Sequence, residues 1–599
     1  MHELSNLDDL PEDLAEGIRY GGLHSLLPCL VQDGYGRERT PTPVPALVLE
    51  NERVRAIVLP SYGGRLWSLE SDGRELLYRN PVVQPANLAL RNAWLAGGVE
   101  WNLGSTGHWT NTCEPLHAAT VVGPDGEPVL RLWEWERTRN LVVQLDFWLP
   151  ADSALLYVGV RIRNQHDYDV PAYWWSNIAV PQAPGGRVLT PADQAWHFGY
   201  QGSLDLVDVP EYDGIDLTYP MQHKRAADFF FELPAGQPRW ICAVDESGSG
   251  MVQASTARLR GRKLFVWGTS RGGSRWQEWL APGAEGRGYA EIQAGLARTQ
   301  LEHLRLPAAT SWSWLEAYGP VTVDGAHESW PEARRSAGSV IEPMTADLDS
   351  RHDQWLTIAD AEPVERLVSG SGWGALEVQR LKIDTPGTPF DEAGPRQRPW
   401  KDLLEGKPLD QNPALPPDGT LVAPGWRQAL EAAPETWLVW YHRGVARWYD
   451  GEHDAAREAW DQSLNSTESA WALRNLAVTS DDPAEAADLY RKALRLAKDV
   501  RPLAIEALEF LLDNELYDQA ANVIAELPPM THGRIRLAEV RLRLARNDAA
   551  GAQALLDEGI DLADLREGAN RLADLWREVQ VTLGTDKPVP DRYDFSMVD

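Results

Sequence analysis

ALVLENERVRAIVLPSYGGRLWSLES, residues 46–71, reads as strand, Asn/Glu turn, strand, Gly-Gly turn and strand. The same punctuation recurs in LRLWEWERTRNLVVQLDFWLP (130–150), LLYVGVRIRN (155–164), GMVQASTARLRGRKLFVWG (250–268) and YAEIQAGLARTQ (289–300). Short β-branched and aromatic runs of this kind continue over residues 21–320 with almost no helical period. They predict a large antiparallel β-sandwich rather than alternating βαβ units.

Outward from that block the pattern changes twice. Residues 1–20 form a short acidic segment, and residues 321–423 mix helical fragments such as HDQWLTIADAEPVERLVSG (352–370) with Pro-rich KIDTPGTPFDEAGPRQRPW (382–400) and LDQNPALPPDG (409–419). Trp355, Trp373 and Trp400 need burial, so this middle stretch is expected to pack on its neighbours as a connecting segment. Residues 424–565 are rich in Ala, Leu, Glu and Arg. In WYHRGVARWYDGEHDAAREAWDQSL (440–464), Trp440, Gly444, Gly451, Ala456 and Trp460 fall at the spacings of a tetratricopeptide repeat. Small residues equivalent to Ala456 are expected at Ala486, Ala520 and Ala550, with successive spacings of 30, 34 and 30 residues counted from Ala456, which predicts four helix pairs in an α-helical solenoid. Residues 566–599 complete the chain as a helix and tail.

The composition narrows the function classes. Of 599 residues, 57 are basic and 88 acidic, for a net charge of −31. Such a chain repels phosphate backbones and anionic lipid, so no nucleic-acid or membrane partner is expected. Tryptophan is overused, 27 residues against only 9 Phe, and its flat face suits both large cores and sugar-stacking clefts. The three cysteines, Cys29, Cys113 and Cys242, form no CxxC pair and no disulfide framework. No secretory signal opens the sequence and no apolar run is long enough to span a bilayer, which predicts a cytoplasmic protein. No clustered ligand spacing points to a metal, and no cofactor is implied.

Three stretches concentrate chemistry. WLAGGVEWNLGSTGHWTNTCEPLH (94–117) sets Glu100 after a Gly-Gly pair and His108 between Trp101 and Trp109. A carboxylate, an imidazole and stacking aromatics are what a glycosyl-transforming site requires. PAYWWSNIAVP (171–181) puts Trp174 and Trp175 on opposite faces of a strand, with Asn177 on the face of Trp175. FVWGTSRGGSRWQEWLAPGAEGRGYAEIQAGLARTQ (265–300) gathers Trp267, Arg271, Gln277, Glu278, Glu291 and Gln293. Glu291 and Gln293 are two apart and so share a strand face; Glu291 is the best candidate for a general base, with Arg271 and Gln277 as binders of hydroxyl or carboxylate. His117, Glu134, Glu136 and Asp146 read instead as outer-face residues, and Trp312, Trp314 and Glu316 in SWSWLEAYGP (311–320) as one face of a half-buried closing strand.

Those residues give the N-terminal half a resemblance to the galactose-mutarotase-like β-supersandwich, and the whole chain resembles a bacterial family that joins such a domain to tetratricopeptide repeats. GGVEWN with GHWT, YWWSN, WGTSRGG with WQEW, and EIQAGLARTQ carry the resemblance most specifically. It implies that Glu291 is the base that deprotonates an anomeric hydroxyl and that His108 is the first of two site histidines. YWWSN (173–177) is only loosely similar to the motif that carries the second histidine, and no His occupies it. Glu100, without a counterpart in those motifs, then suggests a two-carboxylate site.

The leading expectation is therefore a glycoside hydrolase acting on a small oligosaccharide or glycoside, with Glu100, Glu291 and His108 catalytic. Trp101, Trp109, Trp175, Asn177, Trp267, Arg271, Gln277, Glu278 and Gln293 would bind substrate. A sugar epimerase, mutarotase or lyase on the same fold is the alternative. A non-catalytic sugar-binding module is the third reading. The repeats are expected to support a homodimer or a protein partner, and SGSGWGALE (369–377) to close over the site.

Overall fold

Asn51 makes the first turn of the opening stretch: its Oδ1 accepts hydrogen bonds from the amides of Arg53 (2.9 Å) and Val54 (2.7 Å). The second turn needs glycine. Gly64 has φ +68°, and a Cβ there would lie 2.7 Å from the Leu132 side chain. The strands so formed are Leu47–Glu50, Val54–Leu59 and Arg65–Ser71. The computed structural model describes residues 4–283, 288–390, 392–527, 532–566 and 571–597.

These three strands begin an 11-stranded antiparallel sheet. It continues through Val99–Leu103, Trp174–Gln182, Gly288–Gly295, Gly261–Val266, Ala227–Phe231, Gln194–Phe198 and Leu204–Asp208, and the short strand Arg74–Glu75 pairs with Arg65–Ser71 as the eleventh. A nine-stranded sheet stacks on it, with Ser311–Thr322, Leu156–Asn164, Leu141–Trp148 and Pro128–Glu136 at its middle. Alternate residues of the two sheets meet in one large core. In its centre Trp174 stacks on Trp101 at 6.0 Å and meets the edge of Trp314 at 5.2 Å.

Glu316 lies inside this core, fully buried, where the half-buried strand reading put it at a boundary. Its carboxylate accepts from Ser176 Oγ, Gln253 Nε2, Trp314 Nε1 and Tyr318 Oη, so each lone pair taken from water finds a donor.

The middle segment does more than connect. Glu365–Val368 adds an edge strand to the second sheet beside His117–Val122. Its flanks pack on both neighbours: Trp355 joins the core of the sandwich, whereas Trp373 and Trp400 are buried in a cluster with Trp426, Leu430 and Trp437 of the helical region. The outer-face reading of four residues is corrected, since all are buried: His117, Glu134 and Asp146 under this cover, and Glu136 against Gly104 beside the first sheet. Asp146 pairs with buried Arg131 and accepts from Trp355 Nε1 at 2.9 Å. His117 accepts from the Gly370 amide, and Glu134 from the Ser371 amide. Glu136 takes the amides of Thr138 and Arg139. Burial pushes the Glu134 carboxyl up to about 7 against the hydrogen bonds from the Trp135 and Ser371 amides. SGSGWGALE therefore packs on the second sheet and does not close over a cavity of the first.

Beyond Pro424 the chain is helical. Four antiparallel pairs follow one another: Trp437–Tyr449 with His453–Ser466, Ala470–Val478 with Pro483–Leu496, Arg501–Asp513 with Tyr517–Glu526, and Gly533–Ala545 with Ala549–Glu558. Gly444 is small because Trp460 crosses it; a Cβ would sit 2.3 Å from the indole nitrogen. Ala456, Ala486 and Ala520 are each the fourth residue of the second helix of their pair and fully buried. In the last pair that place belongs to Ala552, whereas Ala550 is exposed. The repeat pattern had slipped by two residues, because Ala549, Ala550 and Ala552 are chemically alike. Ala552→Arg is expected to lower stability by more than about 2 kcal/mol and Ala550→Arg to change it by less than about 0.5. Urea denaturation of the two variants measures this, and the reverse order would refute the register.

Among the described residues no helix is long and apolar enough to cross a membrane.

Candidate functional site

Period two along each strand sorts the first sheet into a core face and an outer face. Cross-strand register then aligns the outer-face residues. Glu100 lies opposite Asn177, Asn177 opposite Gln293, Gln293 opposite Lys263 and Lys263 opposite Phe230. One row along, Glu291 lies opposite Phe265 and Phe265 opposite Asp228. A cavity of ≈ 210 Å³ opens on this face. His108, Asn177, Glu291 and Gln293 line it, together with Lys263, Asp228 and Gln300. Trp94, Phe265, Trp267 and Tyr200 supply aromatic wall.

Glu100 sits behind the cavity. The Gly-Gly pair before it allows the close approach that the sequence suggested: a Cβ on Gly98 would meet the Leu66 carbonyl oxygen at 2.4 Å. The Glu100 carboxylate accepts from Trp94 Nε1 (2.8 Å), His108 Nδ1 (2.8 Å) and Thr112 Oγ1 (2.6 Å), with Arg65 Nη2 at 3.7 Å. Burial alone would raise its pKa. His108, Arg65 and the hydrogen bonds from His108 and Thr112 outweigh burial and hold it down at about 2. An ionised carboxylate only accepts, so His108 Nδ1 carries a proton and Nε2 is the ring's other nitrogen, on a residue that lines the cavity. The Trp94 ring, 5.0 Å from the imidazole, fixes its plane further.

Glu291 is the opposite case. Burial raises its carboxyl above the ordinary value, opposed by His108, Lys263 and a hydrogen bond from Gln293 Nε2 (2.7 Å). The site thus pairs a carboxyl tuned upward with an imidazole anchored on a carboxylate tuned downward, the kind of separation that divides acid and base roles.

Polar side chains continue from there. Gln300 Nε2 donates to Gln293, and Lys263 Nζ reaches Asp228 at 2.7 Å and donates to Gln300. Lys263 also lies over the rings of Phe230 and Phe265 at 5.2 and 5.6 Å.

Of the sequence-predicted residues, the cavity brings together His108, Asn177, Trp267, Glu291 and Gln293. The others lie elsewhere. Trp101 belongs to the core between the sheets, where its Nε1 donates to the Gly64 carbonyl. Trp109 is in the same core. Trp175 does share the face of Asn177, but it lies flat over Gly261 and Gly295 and packs in a separate cluster with Leu14 of the N-terminal helix. Arg271, Gln277 and Glu278 fall on a helix, Arg271–Leu280, within the region read as having almost no helical period. Ser270 caps it by accepting from the Gly273 amide, and Trp276, Trp279 and Leu280 bury one face. On that helix Arg271 pairs with Asp591 and Asp594, Gln277 accepts from the Tyr289 amide, and Glu278 faces Arg275. None of the three lines the cavity.

Lys263, Asp228, Phe265, Phe230 and Gln300 were missed. The signal was present for the first four, since RGRKLFV and AADFFF alternate on the strand period; what was lacking was the sheet order that brings those strands beside Gly288–Gly295. Among the described residues no group of three or more His, Cys, Asp or Glu could hold a metal ion.

Fold and cavity define a two-part chain, a β-supersandwich with a polar, aromatic-walled cavity followed by a helical repeat solenoid. The chain belongs to the family described as Domain of unknown function (DUF5107), whose model matches residues 23–331, just over half of the sequence. Its fold is shared with a TPR-domain containing protein from Parabacteroides distasonis ATCC 8503, at TM-score 0.66 and 19% identity over 95% of this chain and 93% of that one. A galactose mutarotase-like protein from Clostridium acetobutylicum aligns at TM-score 0.35 and 11% identity, over 46% of this chain and 95% of its own. A putative aldose 1-epimerase from Escherichia coli K12 aligns at TM-score 0.34 and 14% identity, over 47% of this chain and 100% of its own.

Proposed function

We propose that the cavity binds a single sugar ring and interconverts its anomers by proton transfer. Glu291 takes the proton of the anomeric hydroxyl. His108, acting as the imidazolium that the ionised Glu100 stabilises through Nδ1, gives its Nε2 proton to the ring oxygen as the bond from the anomeric carbon to that oxygen breaks, leaving an open-chain aldehyde and a neutral imidazole. Reclosure on the other face returns both protons, so no water is consumed. Asn177, Gln293 and Gln300 offer amide donors and acceptors at hydroxyl positions, and Trp94 and Trp267 offer flat faces to sugar C–H groups. The observation that carries this reading is one cavity holding Glu291 together with His108, whose Nδ1 is held by an ionised Glu100. It also sets the glycoside hydrolase second. A carboxyl at about 2, wrapped by three donors behind the imidazole, has no proton to give a leaving group.

Exchange NMR of α and β anomers across a panel of aldoses tests the proposal. The expected result is faster interconversion of at least one aldose, with no incorporation of oxygen from labelled water into cleaved products. Cleavage of glycosides in labelled water, or no acceleration across the panel, would overturn it.

The pH dependence follows from the same residues. Glu291 must be ionised to act, and its value is raised, so kcat/KM is expected to climb with pH along an acid limb lying above the ordinary 4.5. An acid limb at or below that value would contradict the assignment.

A further inference from the structure

One hydrophobic cluster joins the sandwich to the end of the chain and borders the cavity. It contains Trp267 of the cavity wall, helix residues Trp276 and Trp279, and Phe595 and Met597 near the C-terminus. The contacts form a line. Trp267 stacks on Trp276 at 6.1 Å, and Trp276 meets the edge of Phe595 at 5.0 Å and donates from Nε1 to the Phe595 carbonyl at 3.0 Å. Beside it the tail backbone lies against the helix so closely that a Cβ on Gly272 would sit 1.7 Å from the Ser596 carbonyl oxygen. The Ala226 amide, next to the strand Ala227–Phe231, donates to the Met597 carbonyl at 3.2 Å. Arg275 lies over the Phe595 ring at 5.4 Å, and Arg271 pairs with Asp591.

A second grip lies on the facing wall. Asn87 Nδ2 donates to the Asp564 carbonyl at 3.1 Å, and Asn87 forms a bridge with Arg566. The next residue, Leu88, lines the cavity, and Ala86 is paired with Trp94, which lines it as well. Both grips come from the end of the repeat region, and each ends one residue or one ring away from the cavity.

We propose that the C-terminal tail, through Phe595, is a positioning element of the cavity: it fixes Trp267 by way of Trp276, while Asp564 and Arg566 fix Leu88. The repeats thereby serve the sandwich of their own chain. The described contacts of the tail with the sandwich run to Trp276, Gly272, Arg271, Arg275 and Ala226, so it is expected to set how well a ring is seated and not how protons move. Only the kinetic arm of the test rests on the sugar reading given above.

The test compares full-length Phe595→Ala with Phe595→Leu, which keeps an apolar side chain, and with Gly272→Ala, which pushes the tail off from the other side. Hydrogen exchange of the helix Arg271–Leu280 and hydroxyl-radical labelling of Trp267 are read first. Both are expected to rise about tenfold in Phe595→Ala and Gly272→Ala and to return toward wild type in Phe595→Leu. With an aldose that the wild type turns over, KM is expected to rise about fivefold with kcat and the acid limb of the pH profile unchanged. Unchanged exchange and labelling in the Gly272 and Phe595 variants would overturn the proposal, as would increased labelling with wild-type KM. If the wild type turns over no aldose, the sugar reading falls, and the exchange and labelling arms still decide whether the tail holds the wall.

Discussion

Glu291→Gln is expected to lower turnover by roughly 10²- to 10⁴-fold, the range a positioned general base contributes, while sugar binding and fold are kept. The substitution keeps shape and hydrogen-bonding atoms and removes only the capacity to take a proton. Stability should not suffer. The Glu291 carboxyl is raised in the folded protein, so the native state holds its proton more tightly than the unfolded chain does. Ionisation at neutral pH therefore costs the native state free energy, and a neutral amide escapes that cost. Anomer exchange, sugar titration and thermal melting of the same preparation separate these effects. Retained turnover, or a melting temperature that falls with it, would contradict a role as base.

Glu100→Gln should behave in the opposite way, with a loss of about 3 kcal/mol of stability. Glu100 gives buried Arg65 its counter-charge and accepts from three further donors, and an amide can neither neutralise the guanidinium nor accept from all of them. Its depressed carboxyl contributes stability that is fully present above the ordinary 4.5 and disappears as pH falls toward about 2. The stability curves of wild type and variant should therefore converge in acid. Turnover falls too, since the imidazole of His108 loses the acceptor that fixes its protonated nitrogen. Urea denaturation at pH 7 and at pH 3 checks the first point. A variant as stable as the wild type at both pH values, yet inactive, would instead return Glu100 to the part of a catalytic acid.

Much of this is legible in the sequence. Residues 46–71 carried the strand and turn pattern, and YAEIQAG carried the face shared by Glu291 and Gln293. The parity of YWWSN separated Trp174, in the core, from Trp175 and Asn177. What could not be read was which outer face lies open. Trp175 and Glu291 stand on the same face of the same sheet, but the N-terminal helix covers the first and nothing in the local pattern says so. The ion pair of Lys263 with Asp228 depends on which strands become neighbours, a property of sheet order. The ionisation of Glu100 depends on its burial, on His108 and on Arg65, and of these the burial and Arg65 are supplied by the fold. The helix Arg271–Leu280 was hidden by its two glycines, although Ser270 and the spacing of Trp276, Trp279 and Leu280 marked it.

The docking of the chain's end on its beginning also has a temporal side. Phe595 follows Trp276 by 319 residues, and Asp564 follows Asn87 by 477. At the roughly 5–20 residues per second of protein synthesis, about 15 to 60 seconds separate the emergence of Trp276 from that of Phe595. Throughout that interval the nascent sandwich has its strands but lacks the groups that cover Trp276 and Trp279. A chain still short of Phe595 therefore carries an uncovered tryptophan patch beside an unfinished cavity, and the segment around Phe595 is what later shields it.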